Sequence, residues 1–132
     1  MRLKQIAVFA MIVLLTACST IYPPASRFEG ASKGYDRLLR WRELDKAALA
    51  YVPPELREKF QERVDAAKEV RIVDYRIKSV EFKGDGTEAE ALVELDYYRT
   101  DSARVKTVED RQSWQYDKDH GWRLRSLLPE FH

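Results

Sequence analysis

The order of apolar and polar residues divides the chain into an apolar N-terminal run, a helical part and a strand-rich part. Apolar side chains recur every three or four residues from Lys33 to Val52 and from about Pro54 to Lys68, which predicts helical segments with a break near residues 43–45. Beyond Ala67 the period falls to two, which predicts strands. Helices followed by strands predict an α+β domain whose N-terminal helices pack on a curved four-stranded antiparallel sheet.

Turn residues and one change of phase place the strands. The first strand alternates around Tyr75 and changes parity at Lys78–Ser79, which predicts a β-bulge. Gly84–Gly86 predicts a tight hairpin turn. The other three strands are predicted at about residues 89–97, 105–116 and 122–128.

The loop centres predict which residues face each other across the sheet, because opposed residue numbers in an antiparallel pair have a constant sum. The last hairpin pairs Trp114 with Leu124. The loop at residues 100–104 pairs Glu94 with Arg111, which would be an ion pair on the outer face.

These registers leave polar residues on the inner, covered face of the sheet, and such groups indicate a cavity. The candidate pocket consists of Tyr75, Tyr97, Asp110, Gln112 and Trp114. Asp110 is the best candidate for a general base, with either tyrosine as a hydrogen-bond donor. The alternative is a carboxylate satisfied by Gln112, Ser126 or an arginine in a structural network.

The pattern of elements from about residue 33 to residue 128 resembles the nuclear-transport-factor-like (cystatin-like) family. The pieces that carry this resemblance are Trp41–Asp45 with Tyr51, Val73–Ile77, Trp114–Tyr116 and Trp122–Leu124. The resemblance implies an α+β cone. Members similar to ketosteroid isomerase use a carboxylate base and a tyrosine donor in that cone, whereas many members are inert binding or assembly domains.

The N-terminal apolar run Ile6–Leu15 is too short to span a bilayer comfortably and is typical of a signal-peptide core. It ends in Leu15-Thr16-Ala17-Cys18, which resembles the lipobox of bacterial lipoproteins. The resemblance implies cleavage before Cys18 and acylation of that residue, and Ser19 implies the outer membrane. The alternative is an ordinary secretory signal or a buried helix in which Cys18 is incidental.

The expected organisation is therefore a signal peptide at residues 1–17, a lipidated tether at residues 18–32 and a single α+β domain at residues 33–132. The chain has 23 Lys and Arg against 22 Asp and Glu. This near-neutral balance gives no electrostatic reason to expect nucleic-acid binding.

Few residues are available for catalytic or metal chemistry. The two histidines are His120, in a predicted hairpin tip, and His132. With Cys18 acylated, no metal, cofactor or Cys/His couple is expected. The tail Pro129–His132 could dock on a partner or fold over the sheet.

We therefore expect an outer-membrane lipoprotein, anchored through Cys18 and facing the periplasm, that acts as a non-catalytic binding or assembly module. Its expected partner is another envelope protein or a second copy joined through the sheet. The alternative is small apolar ligand binding or weak catalysis in the cone.

Overall fold

The computed structural model describes residues 24–132, so the predicted signal peptide and Cys18 lie outside the described part. The described chain folds into three α-helices followed by a curved four-stranded antiparallel sheet, which confirms the predicted α+β class. The helices are α1 (Ala25–Arg40), α2 (Leu44–Tyr51) and α3 (Arg57–Ala66), with a 3₁₀ turn at Pro54–Leu56 before α3. The strands, in sheet order, are β1 (Val70–Lys83), β2 (Glu88–Arg99), β3 (Lys106–Asp117) and β4 (Gly121–Leu124).

Helix α1 begins at Ala25, well before the predicted start at Lys33, so part of the predicted tether belongs to the domain. Gly30 and Gly34 lower the intrinsic helix propensity of this stretch. Tertiary burial outweighs that cost, because Phe28 is only 2% exposed and packs edge-on against Trp122 with ring centroids 5.0 Å apart. The core lies between this face of α1 and the inner face of the sheet.

The predicted break in the helical part is confirmed between α1 and α2. Arg42 adopts a positive φ of 60°, and the Glu43 N–H donates to the Leu38 carbonyl at 2.8 Å. This reversal turns α2 back against α1, and the Pro53–Pro54 pair then separates α2 from α3.

Two irregularities bend the edge strand β1. The register shifts between Ile77 and Ser79, which confirms the predicted bulge, and also between Ile72 and Asp74, where none was predicted. Each shift adds one residue to β1 relative to β2. The extra residue near Lys78 keeps the apolar residues on both sides of it on the inner face.

The register prediction is confirmed for one hairpin and wrong for another. Trp114 faces Leu124, as predicted. The β2–β3 pairing differs by two residues from the prediction, so Glu94 faces Glu109 rather than Arg111. An even difference preserves which residues point inward, so the predicted inner face survives although the individual cross-strand pairs do not.

The last strand is shorter than predicted because the chain leaves the sheet after Leu124. The following segment folds over the end of the sheet. Leu128 is buried and its carbonyl accepts from Arg63 of α3 at 3.1 Å, while the Phe131 ring packs against Tyr97 with centroids 4.9 Å apart. Of the two alternatives for the tail, the structure shows folding over the sheet.

Candidate functional site

Helix α1 carries a carboxylate onto the inner face of the sheet. Ser32, Tyr35, Asp36 and Leu39 follow one another at helical spacing, and all four side chains are buried. Asp36 is therefore held over the middle of the sheet by the same apolar face that anchors the helix. A carboxylate placed in this way needs a hydrogen-bond donor from the sheet.

Gln112 on β3 supplies that donor and bridges two carboxylates. Its Nε2 donates to Asp36 Oδ1 at 2.9 Å and to Asp110 Oδ2 at 2.8 Å. Its Oε1 accepts from the Trp114 indole Nε1 at 3.2 Å, which fixes the orientation of the amide. We call Asp36, Asp110, Gln112, Trp114 and the adjacent Tyr35 the polar core cluster.

Burial shifts the protonation equilibria of this cluster towards neutrality. It raises the pKa of Asp36 to about 7, with the Gln112 hydrogen bond opposing the shift and the charge of Asp110 adding to it. Burial likewise raises the pKa of Asp110 to about 6, again opposed by Gln112. The pKa of Tyr35 is raised by burial and by both carboxylates. The pair of aspartates can therefore retain a proton near neutral pH.

Three buried polar atoms of α1 have no hydrogen-bond partner among the described residues: Ser32 Oγ, the Tyr35 hydroxyl and Asp36 Oδ2. Leaving a buried polar group unpaired costs about 1–3 kcal/mol. The cost is lower for a neutral carboxyl than for an ionised one, which agrees with the raised pKa of Asp36.

The structure brings three of the five predicted pocket residues together, namely Asp110, Gln112 and Trp114. Tyr75 is half-buried on β1, where it faces Leu95. Tyr97 is occupied by the C-terminal tail, since its hydroxyl donates to the His132 carbonyl at 3.2 Å.

Sequence reasoning missed Asp36 and Tyr35. Both lie on the buried face of α1, where the spacing of apolar residues by itself indicates only packing. The available signal was an aspartate inside that apolar stripe, next to Tyr35 and one turn before Leu39. A charged residue at a core-facing position is rarely buried without a partner, and this one pairs with Gln112.

Two clefts lie away from the polar core cluster. One, of about 470 Å³, lies between the helices, the start of β1 and the tail, with Leu39, Ile72 and Phe131 among its lining. The other, of about 660 Å³, lies between the α2–α3 junction and the β3–β4 hairpin and contains Arg57, Arg123 and Arg125. Glu55 neutralises part of this second cleft, because it accepts from Arg125 at 2.9 Å.

Within residues 24–132, no group of three or more metal-ligating side chains is arranged to hold an ion, and no helix is long and apolar enough to cross a membrane. No protein-family profile, curated protein or solved structure matches this chain.

Proposed function

We propose that this chain is an outer-membrane-anchored lipoprotein whose α+β domain is a non-catalytic binding or assembly module in the bacterial cell envelope, facing the periplasm. The observation that carries the non-catalytic part is the enclosure of Asp110. A general base must reach the proton that it abstracts. Asp110 is 2% exposed and bonded to Gln112, which is 1% exposed.

The anchor rests on the lipobox-like residues Leu15–Cys18. Growth of producing cells with a palmitate analogue should label the wild-type protein and leave Cys18→Ala unlabelled. An unlabelled wild type, or a labelled Cys18→Ala variant, would contradict the anchor.

The outer face of the sheet favours an envelope protein over a second copy as the partner. This face carries a charged network in which Arg76 binds Glu94 at 3.0 Å and Asp96 at 2.7 Å. Homodimer interfaces are more apolar than the rest of a protein surface, whereas non-obligate interfaces with other proteins are not. Crosslinking in cells followed by purification of the tagged lipoprotein should yield one stoichiometric envelope partner, and recovery of the lipoprotein crosslinked only to itself would reverse this preference.

The second candidate function is small apolar ligand binding or weak catalysis in the cone pocket, where the polar core cluster lies. It is favoured by the pKa of Asp110 near 6, which suits a base working near neutral pH, and by the unpartnered Tyr35 hydroxyl as a donor. Asp110→Asn separates catalysis from the non-catalytic module, because it keeps the shape of the side chain and removes the base. Full restoration of a gene-loss phenotype by Asp110→Asn supports the binding module, whereas a folded variant without function supports catalysis.

A further inference from the structure

The chain enters the described domain at one end of the sheet. The Pro24 carbonyl accepts from the Trp122 indole Nε1 at 2.8 Å, and Ala25 lies beside Gly86 of the β1–β2 hairpin. The antiparallel order places the β3–β4 hairpin at this same end. We call this end of the sheet the tether end; it consists of Pro24, the two hairpins at Gly84–Gly86 and residues 118–120, and the adjoining residues 80–83 of β1.

The opposite end of the sheet is far from this entry point. It contains the β2–β3 loop at residues 100–105 and the last turn of α1, where Arg40 donates to the Ile72 carbonyl at 3.3 Å. We call it the distal end. β1 runs between the two ends over 14 residues. At about 3.3 Å per residue, the strand is about 45 Å long.

The connection between the proposed anchor and the domain is short compared with this length. Only residues 19–23 separate Cys18 from Pro24. Even a fully extended chain could place these two residues no more than about 22 Å apart. A lipid on Cys18 therefore keeps the tether end close to the bilayer surface, while the distal end can stand well away from it.

The tether end also exposes apolar side chains. Val80 and Phe82 on β1 are 40% and 42% exposed. The Phe82 ring is held by Phe28 and Trp122, with centroids 5.4 Å and 6.3 Å away, so the core supports it from behind. Phenylalanine is among the apolar residues with which proteins that lie on a membrane enter the boundary between headgroups and acyl chains.

The basic side chains of the same strand segment form ion pairs with the neighbouring strand β2. Lys78 pairs with Glu94 at 3.8 Å and Lys83 with Glu90 at 3.3 Å, both across to β2. Both lysines already have acidic partners. A contact between this segment and lipid would therefore depend on the apolar side chains of Val80 and Phe82, and little on attraction between lysines and anionic lipids.

We propose that the domain rests on the membrane through its tether end, with Val80 and Phe82 in the lipid interface. The distal end then faces the periplasm with Trp41, which is 65% exposed. This orientation rests on the lipid anchor at Cys18 proposed above. It leaves the cleft of about 470 Å³, whose lining includes Ile72 and Phe131, directed away from the bilayer and open to a partner.

Two exposed valines give a matched test, since Val80 is at the tether end and Val105, 58% exposed, is in the distal loop. Cys18 is the only cysteine, and its acylated sulfur does not react with thiol probes. Val80→Cys and Val105→Cys lipoproteins would each be labelled with an environment-sensitive fluorophore. They would then be reconstituted in phosphatidylethanolamine–phosphatidylglycerol vesicles that contain a lipid-borne quencher. We expect a blue shift and several-fold stronger quenching at position 80. Equal quenching at both positions, or stronger quenching at position 105, would overturn the orientation.

A longer tether tests whether Phe82 itself contributes to the contact. An insertion of about ten glycine and serine residues after Ser19 removes the length restraint. Quenching at position 80 should persist in this protein and fall when Phe82→Ser is added, with urea unfolding confirming that the variant is folded. Loss of quenching on insertion alone, or no change with a folded Phe82→Ser, would show that Phe82 does not hold the domain on the lipid.

Failure of the anchor and failure of the orientation give different results. A protein that does not float with the vesicles and takes up no palmitate analogue overturns the anchor and, with it, this orientation. A protein that floats but shows equal quenching at positions 80 and 105 keeps the anchor and overturns the orientation alone.

Discussion

Asp96 and Asp110 lie on neighbouring strands of one sheet, yet their surroundings shift their pKa values in opposite directions. On the outer face, hydrogen bonds from Arg76 and Thr107 lower the pKa of Asp96 to about 2. On the inner face, burial raises the pKa of Asp110 to about 6. A carboxylate that keeps solvent and gains a cation favours its charged form, whereas one that loses solvent and gains only an amide favours its neutral form.

This comparison separates two roles for polar residues in the same sheet. The outer network forms in water and is screened by salt, so its loss should be tolerated. The polar core cluster is closed to solvent. When one of its hydrogen-bond partners is removed, water cannot take that partner's place. The five predictions below test that difference, beginning with the largest expected effect.

Gln112→Ala should lower the free energy of unfolding by about 3 kcal/mol at about pH 8, because two buried carboxylates and the Trp114 indole lose their common partner. Urea unfolding measures this loss. Gln115→Ala is the matched control, since Gln115 lies on the exposed face of the same strand. It should change stability by no more than about 0.5 kcal/mol. Similar losses in the two variants would contradict the contrast between the faces.

Acidification should first stabilise the protein. The folded-state pKa values of Asp36, about 7, and Asp110, about 6, lie above that of an unfolded aspartate. The folded state then binds more protons than the unfolded state, so stability is full below about pH 4 and is lost as the pH rises through these folded values. The free energy of unfolding should rise by about 3 kcal/mol from about pH 8 to about pH 5.

Asp36→Asn checks the source of that pH dependence, because it removes the group with the larger shift. Urea midpoints of this variant should change much less than those of the wild type between about pH 8 and about pH 5. An unaltered pH dependence would show that other groups cause it.

Two glycines of α1 extend the contrast between covered and open positions to a single helix. A Cβ added at Gly34 would overlap the Tyr51 hydroxyl, whereas a Cβ added at Gly30 would meet nothing within 4 Å. Gly34→Ala should therefore cost about 1 kcal/mol despite the better helix propensity of alanine, and Gly30→Ala should gain about 0.5–1 kcal/mol. Thermal unfolding of both variants provides the measurement, and a stabilising Gly34→Ala would contradict the close packing.

Arg76→Ala should have only a small effect, a loss of stability well below that of Gln112→Ala. Its partners Glu94 and Asp96 remain hydrated, and the difference from wild type should shrink in about 1 M salt. Arg111→Ala on the same face is the control, because that side chain is 82% exposed and should contribute less still. Because the pKa of Asp96 is lowered, its effect on how stability changes with pH is opposite in sign to that of the buried aspartates. Its contribution is present above about pH 4 and is lost as the pH falls towards 2.

The register of the β2–β3 pair shows which part of the sheet geometry could be predicted from the sequence. Alternation placed Asp110 and Gln112 correctly on the inner face, because facing depends only on parity. Which residues face each other across β2 and β3 depends on where the loop between them is centred. The residues of this loop are compatible with more than one turn. For that reason the sequence predicts Arg111 as the partner of Glu94, whereas the structure pairs Glu94 with Arg76 on the other neighbouring strand.

The candidate site was predictable only in part for a similar reason. The sheet half, Asp110, Gln112 and Trp114, follows from strand alternation. The helix half does not, because the contact between Asp36 and Gln112 joins residues 76 positions apart. Only the packing angle of α1 on the sheet decides which residue of its buried stripe meets Gln112.

The sequence by itself determined the order of elements, the inner face of the sheet, the bulge near Lys78 and the break after α1. These features depend on local periodicity and turn residues, which are independent of how the elements pack together. The tertiary structure decided that α1 begins at Ala25, that the tail folds over Tyr97 and that the buried Asp110 shares Gln112 with Asp36. Each of these depends on burial against residues distant in the chain. That burial outweighs the local propensity of glycines in a helix and sets the charge state of the carboxylates.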